Sequence, residues 1–440
     1  MTHIENIVPS SSAAFSLRLS RMHLRPLAAS AALIFSTTAP AAMAAATHLV
    51  TTCNDQNPVP TPCSAGDDGT LRHAYSCAAD GDTIDLTQLQ CSKITLSDVL
   101  FSLTGNITLN GPGREKLTIE AASRRRVIAH GGNATDTLTI NDLTLANGFN
   151  NSVGGGCIYS ASNIHVNSSA VTGCYALASA GSTTAGGALL ANGEITVVDS
   201  NVYSNVAKSL SAVVSEGGGL KAYAVHLVNS NVTRNSATYG GGVFARAFES
   251  ENSTISYNYA RSDGGVFAAK AFLIINSTIS GNGASSRDGG VRADGTAAIY
   301  NSTIAFNTAA VGAGGLTARS LYLQSSIVAE NIVAMAASDV GSPLSVVRFT
   351  GAHNLIMAHQ PGITVPDDTI IDDPQLLRPF RDNGGPTLTL ALLPGSPAID
   401  HGVNFTQQPF DQRGVPRVIG SSADIGAFES DYLFTDGFNP

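Results

Sequence analysis

Four basic residues stand two to five positions after paired glycines: Lys221, Arg246, Lys270 and Arg292. Carboxylates lie close to them in the chain, at Glu249, Glu251, Asp263, Asp288 and Asp294. A basic side chain among acids can move a proton, and two facing carboxyls can serve as general acid and base in glycoside cleavage. A solvated face explains the same residues more simply. The Asp-Asp pairs at 67–68, 367–368 and 372–373 fall outside the glycine-paired stretch. His226 alternates with apolar neighbours and reads as a surface or packed histidine. His353 and His359 lack an acidic partner at a telling spacing. Arg124-Arg125-Arg126 could meet an anionic glycan or lipid, and a solvated turn accounts for it equally. No CxxC occurs, and no histidine stands at ligand spacing from a cysteine, so neither a metal nor any other cofactor is expected.

These residues must be held by something repetitive. The chain has 440 residues, 44 of them glycine, with 13% charged and 43% hydrophobic. That balance excludes a solvated disordered chain. A net charge of −9 disfavours a nucleic-acid partner. One unit, S-x-[IV]-x-x-N, recurs with serines at 169, 200, 230, 253, 277, 302 and 325, the last copy carrying an extra residue and the first having Cys174 in the asparagine slot. A Gly-Gly pair runs in phase with it, at 155, 186, 218, 241, 264, 289 and 314. Short segments rich in Val, Ile and Thr precede each serine, such as Ile195-Thr196-Val197-Val198. They predict strands, and a period near 24 residues predicts one solenoid coil per repeat.

In a solenoid equivalent residues stack at about 4.8 Å. The Val or Ile of the motif then points into the core. Asn205, Asn235, Asn258, Asn282, Asn307 and Asn331 form a ladder at a turn, bonding to backbone or to the asparagine above. The paired glycines permit φ > 0 or close backbone approach at another corner.

The ends read differently. Arg18, Arg21 and Arg25 precede the apolar Leu27–Phe35, and Ala42-Met43-Ala44 supplies small residues, so residues 1–46 read as an export signal cleaved after Ala44 or Ala46. No later segment is apolar enough for a membrane span. Six cysteines suit an oxidising compartment. The expected pairs are Cys53–Cys91, Cys63–Cys77 and Cys157–Cys174. Residues 47–96 are expected to form an N-terminal cap, with a short helix near Gly69–Tyr75 N-capped by Thr70.

The repeat resembles the right-handed parallel β-helix proteins of bacterial surfaces. Gly186-Gly187-Ala188-Leu189 matches the GGA[ILV] motif of polymorphic outer-membrane-protein repeats, and S-x-[IV]-x-x-N is similar to their FxxN without the phenylalanine. Gly69-Thr70-Leu71-Arg72-His73-Ala74-Tyr75 resembles the CSLREA module that precedes such helices, departing from it at His73 and Tyr75. Asp382-Asn383-Gly384-Gly385-Pro386-Thr387, Leu393-Pro394-Gly395-Ser396-Pro397-Ala398-Ile399-Asp400, Asp411-Gln412-Arg413-Gly414 and Asp424-Ile425-Gly426-Ala427-Phe428-Glu429 closely resemble the choice-of-anchor Q domain. The resemblance implies an all-β, single-stranded right-handed parallel β-helix with coils over 97–360, a C-terminal cap over 361–430 and a short tail over 431–440. It also implies that Asp411, Arg413, Asp424 and Glu429 form a structural network. The NTD, GHG and RIK motifs of pectin-type hydrolases are absent from this chain. The expected function is a secreted or surface-displayed monomer with a binding, adhesive or structural role towards glycans or other cells. A polysaccharide lyase or hydrolase acting in a groove along the coils is the alternative.

Overall fold

The computed structural model describes residues 45–55, 69–102, 105–121, 125–179, 181–210, 214–342, 348–377 and 380–431. The expected signal and tail therefore fall almost wholly outside the described residues, as do Cys63, Arg124 and the 67–68 acid pair.

Alternating apolar side chains drive the chain into a parallel β-helix, with each coil giving one strand to each of three sheets. One coil runs Leu220–Val228, Asn231–Thr233 and Ser236–Tyr239 before Val243–Glu251 opens the next. Equivalent residues pair in parallel register. Val171, Val202, Val232, Ile255, Ile279, Ile304 and Val328 make one interior ladder, all fully buried. Burying each such side chain contributes about 1.5–3 kcal/mol. Phe248 stacks on Phe272 in a neighbouring interior column, with ring centroids 5.4 Å apart.

Each coil bends where a single residue turns left-handed. Asn229 (φ 48°) precedes the motif serine and Arg234 (φ 55°) precedes the motif asparagine; Asn252 (φ 49°) and Tyr257 (φ 54°) repeat this one coil later. Backbone amides buried at these bends need partners, and the two polar motif residues supply them. Ser230 N–H donates to Ser253 Oγ (3.0 Å) and Ser253 N–H to Ser277 Oγ (3.2 Å). Asn235 donates from both its backbone N–H (2.9 Å) and its Nδ2 (3.0 Å) to Asn258 Oδ1, while Asn258 Nδ2 donates back to Val232 O (2.9 Å). The pattern repeats from Asn205 to Asn331, and the fully buried Asp339 ends it by accepting from Asn331 N–H (2.9 Å) and Nδ2 (2.8 Å).

Two details of the expected repeat change. Ser302 N–H donates to Ser326 Oγ (3.1 Å), so the last motif is Ser326-Ile327-Val328-Ala329-Glu330-Asn331 and contains no extra residue. At the glycine corner, close approach rather than positive φ governs the first glycine of the pair from Gly218 onwards. A Cβ on Gly241 would stand 2.4 Å from Gly264 O and 2.6 Å from Tyr259 O. Positive φ belongs to the preceding residue, Gly217 (66°), Gly240 (59°), Asp263 (64°) and Asp288 (60°).

Stacking starts before the expected boundary at residue 97. Thr47–Leu49 pairs in parallel with Thr83–Asp85, and Lys93–Thr95 with Thr118–Glu120. A helix at Leu71–Cys77 packs Leu71, Ala74 and Tyr75 inward, and Thr70 Oγ1 accepts from His73 N–H (3.1 Å). Arg72 clamps it through two bonds to Asp55, both 2.7 Å. A disulfide joins Cys53 to Cys91, with Cα atoms 6.3 Å apart, and another joins Cys157 to Cys174 at 5.4 Å. Cys77 is itself disulfide-bonded.

The C-terminal region, expected across the open end, lies instead along the flank of the short-strand sheet. Thr254 Oγ1 donates to Leu388 O, Thr278 Oγ1 to Gln412 Oε1 and Asn276 Nδ2 to Phe410 O. Ala305, Ile327 and Leu355 pack there against Leu390, Leu392, Ile425 and Phe428. Within this region Arg413 pairs with Asp411 (2.8 Å), Asp424 accepts from Ser430 (2.7 Å), and Glu429 accepts from Asp424 N–H (2.9 Å). The end of the solenoid is closed by the segment near Ala358, whose N–H donates to Asp339 Oδ2 (2.7 Å).

Burial pushes four carboxyls upward: Asp263 and Glu429 to about 7, Asp339 to about 6, and Asp288 in the same direction. Each holds its proton longer in the folded chain than the ordinary value near 4 of the unfolded chain allows. Their contribution to stability is complete below about pH 4 and is lost as pH rises through 6 to 7. At Asp55 burial also raises the pKa, but bonds from Arg72 and Ser97 outweigh it and hold it low; that contribution is present above about pH 4 and lost below. Stability should therefore peak near pH 4–5, in the interval these opposing shifts define. Urea midpoints should be higher at about pH 5 than at about pH 8, and a midpoint that rises over this interval would contradict the assignment.

Candidate functional site

The long-strand register places Lys221, Phe244, Phe267 and Arg292 in one column. Each stands two residues after the second glycine of its corner. Side chains alternate along a strand, so these point outward while Leu220, Val243, Val266 and Val291 are fully buried. Phe244 and Phe267 stack with centroids 4.5 Å apart and planes 25° from parallel. Lys221 Nζ lies 4.0 Å from the Phe244 centroid, and the Arg292 guanidinium carbon 5.8 Å from that of Phe267. A cation therefore caps each end of a two-ring platform, an attractive arrangement because ring faces are negative.

Carboxylates hold both cations. Lys221 Nζ donates to Glu216 (2.6 Å) and Arg292 Nε to Asp294 (2.9 Å). Asp288 Oδ2 stands 4.0 Å from Arg292, but its Oδ1 is taken by Thr317 Oγ1 (2.6 Å) and Ala313 N–H. Asp263 differs. It occupies the left-handed corner position filled by glycine in earlier coils, is 1% exposed, and its Oδ1 has no hydrogen-bond partner among the described residues. Burial raises its pKa to about 7, with Arg292 opposing and Asp288 and Asp294 adding. Tyr239, Glu216, Asp263 and Asp294 wall the platform into an open groove of about 310 Å³.

The column continues backwards through Leu190, Tyr159 and Ala129 to Phe101 and forwards to Thr317. Nine stacked positions at about 4.8 Å make a track of roughly 38 Å along the helix axis, in which Ala129 and Thr317 are buried.

The other residues singled out in sequence lie elsewhere. Arg246 sits over Tyr223 at 5.4 Å, and Lys270 is exposed. His226 Nδ1 is 3.1 Å from Glu249, and Glu251 accepts from Gln408 Nε2 (3.3 Å). Asp368 accepts from His353 N–H (2.8 Å). Phe244, Phe267, Tyr239 and Glu216 were not legible as site residues, although the offset after Gly-Gly is the same for Lys221, Phe244, Phe267 and Arg292. Among the described residues no three His, Cys, Asp or Glu side chains converge as a metal site would, and no helix is long and apolar enough to cross a membrane.

No family model matches the chain, and no curated protein does. Among solved structures it is similar to the crystal structure of pectate lyase Pel9A, with 12% identity over 87% of this chain and 96% of that one, at a TM-score of 0.37.

Proposed function

We propose that the chain is an exported or surface-displayed β-helix protein that binds extended, largely uncharged saccharide segments along the column from Phe101 to Thr317. The stacked Phe244–Phe267 pair carries this reading. Aromatic faces attract the polarised C–H groups of a sugar ring. The paired Lys221–Glu216 and Arg292–Asp294 groups offer donors and acceptors to hydroxyls without a net field. Sites of this kind combine an apolar platform with a few placed polar groups. The two described disulfides suit export. The likeness of 47–96 to CSLREA caps and of 361–430 to choice-of-anchor Q domains supports display outside the cell, with 97–360 as the body of the coils.

Phe267→Ala should weaken binding to neutral oligosaccharides on a glycan panel by tenfold or more while leaving the melting temperature within a few degrees. Unchanged affinity in a folded variant would remove the platform from the function. The competing reading is cleavage, because Asp263 holds a proton near neutrality beside Arg292. A lyase site would hold its basic residue within hydrogen-bond reach of two acids, and Arg292 has that geometry to Asp294 alone, with Asp288 at 4.0 Å. Incubating the same oligosaccharides with the protein and measuring new reducing ends separates the two.

A further inference from the structure

The far end of the track carries a cation of a different kind. Arg126 is partly buried. Its Nε donates to Gly155 O (2.8 Å), one Nη2 N–H donates to Gly154 O, and its guanidinium carbon lies 5.3 Å from the centre of the Tyr159 ring. A guanidinium has five N–H donors, so three remain. Among the described residues no carboxylate pairs with it. Burial lowers its pKa to about 10, with only Tyr159 opposing, so its surroundings leave the charge uncompensated. This sets it apart from Arg72, Arg292 and Arg413, each of which bonds an aspartate.

Arg126 lines a cavity of about 260 Å³ together with Arg125, Phe101, Val99, Phe149 and Asn150. Arg125 reaches Asp98 only at 3.6 Å, and its side chain stays 65% exposed. Phe101 is 55% exposed at a position where an outward phenylalanine gains little from folding, and Phe149 stacks on Tyr175 at 6.0 Å. Two arginines thus line a space with aromatic walls, Arg125 paired with Asp98 at 3.6 Å and Arg126 with no carboxylate among the described residues. An oxyanion entering it would meet a planar fork that suits carboxylate and sulfate.

We propose that this cavity binds the anionic substituent of an acidic saccharide, a carboxylate or a sulfate ester, with Arg126 as the principal partner and Phe101 as the stacking wall. The choice of a saccharide rests on the polymer reading of the track; the oxyanion site stands on Arg126 and the cavity. A polymer seated here would be fixed in register by one charged group while the platform at Phe244 and Phe267 holds uncharged residues further along.

The test uses monosaccharides, which are too short to span the track. Glucuronate, a sulfated hexosamine and unmodified glucose are titrated into the mature protein by calorimetry at low and high salt. One or both acidic sugars should bind at least tenfold more tightly than glucose, and the stronger of the two names the substituent. Affinity should fall as salt rises. Phe101→Ala, at an exposed position, and Arg126→Lys, which keeps the charge but loses the fork, should each weaken the acidic sugar about tenfold. Circular dichroism checks that both variants fold, and Phe101→Ala decides the matter where Arg126→Lys does not. Equal binding of acidic and neutral sugars, no binding of either, or unchanged affinity in folded Phe101→Ala would overturn the site. None of these outcomes touches the oligosaccharide result at Phe267, so the two readings fail separately.

Discussion

Replacing Asn258 by leucine should destabilise the solenoid by about 2–6 kcal/mol, since two buried donors lose their acceptor and each such loss costs about 1–3 kcal/mol. The donors are Asn235 N–H and Asn235 Nδ2, both bound to Asn258 Oδ1. Val232 O also loses Asn258 Nδ2, and Asn282 Oδ1 loses one of its two donors. Leucine fills the volume and repairs none of this. Water cannot readily compensate, because Asn235, Asn258 and Asn282 are at most 1% exposed. Coils interact chiefly with their neighbours, so the damage should concentrate at one level. Hydrogen exchange at the Asn235 amide should accelerate most, and the urea midpoint should fall. Asn258→Asp is the informative partner. It keeps the acceptor for Asn235 but turns its second oxygen towards two acceptors, Val232 O and Asn282 Oδ1, whereas Asp339 Oδ2 at the end of the ladder meets the Ala358 N–H. A leucine variant within 1 kcal/mol of the parent would show that the ladder records the fold without stabilising it.

The ladder also shows why the architecture could be read from sequence. A parallel solenoid imposes the same environment on every coil, so the same residue returns at the same place. Serine and asparagine return because the bends at Asn229 and Arg234 strand amides that their side chains must satisfy. Glycine returns at 241 and 264 because backbone approaches to about 2.4 Å from where a Cβ would be. Where the environment changes, the repeat becomes ambiguous. Ser325 and Ser326 are adjacent serines, 23 and 24 residues after Ser302, so spacing does not choose between them; the Ser302 N–H selects Ser326. The flank position of the C-terminal region left a trace of the same kind. The residue after the motif serine is Asn201 and Asn231 in open coils, then Thr254, Thr278 and Thr303 beneath the C-terminal segment, with bonds to Leu388, Gln412 and Ala427.

The groove was only half legible. Lys221, Arg292, Asp263, Asp288 and Asp294 stand out because charge is scarce in this chain. Phenylalanine two residues after a glycine pair looks like core until the register shows that its neighbours, Val243 and Val266, are the buried ones. Asp263 at a corner occupied by Gly217 and Gly240 in earlier coils was the clearest available sign. A left-handed position with an aspartate carries a backbone cost of order 1–3 kcal/mol that the surrounding structure must offset.

Removing the Cys157–Cys174 disulfide should be the second large effect, at about 3 kcal/mol for a closed loop of this size. The bridge spans 17 residues with Cα atoms 5.4 Å apart, and both residues are at most 1% exposed. It occupies the first rung of the ladder. Cys174 N–H still donates to Asn205 Oδ1 (2.9 Å), but its side chain turns to Cys157 instead of the coil before. The preceding coil has glycine at 148, where a Cβ would lie 2.8 Å from Cys157 Sγ. The rung is therefore built for the bridge. Two double variants separate tether from slot. Cys157→Ala with Cys174→Ala loses both and should lower stability by the full amount. Cys157→Ala with Cys174→Asn gives the residue types of the next coil, where Ala188 is the register equivalent of Cys157 and Asn205 that of Cys174. It should recover about 1 kcal/mol through new bonds to the coil before. If the alanine pair matches the parent under oxidising conditions, the cross-link adds nothing to a coil already fixed by its neighbours. Thiol titration of the denatured, non-reduced parent provides the control, and reactive thiols mapping to Cys157 and Cys174 would remove the bridge from the account.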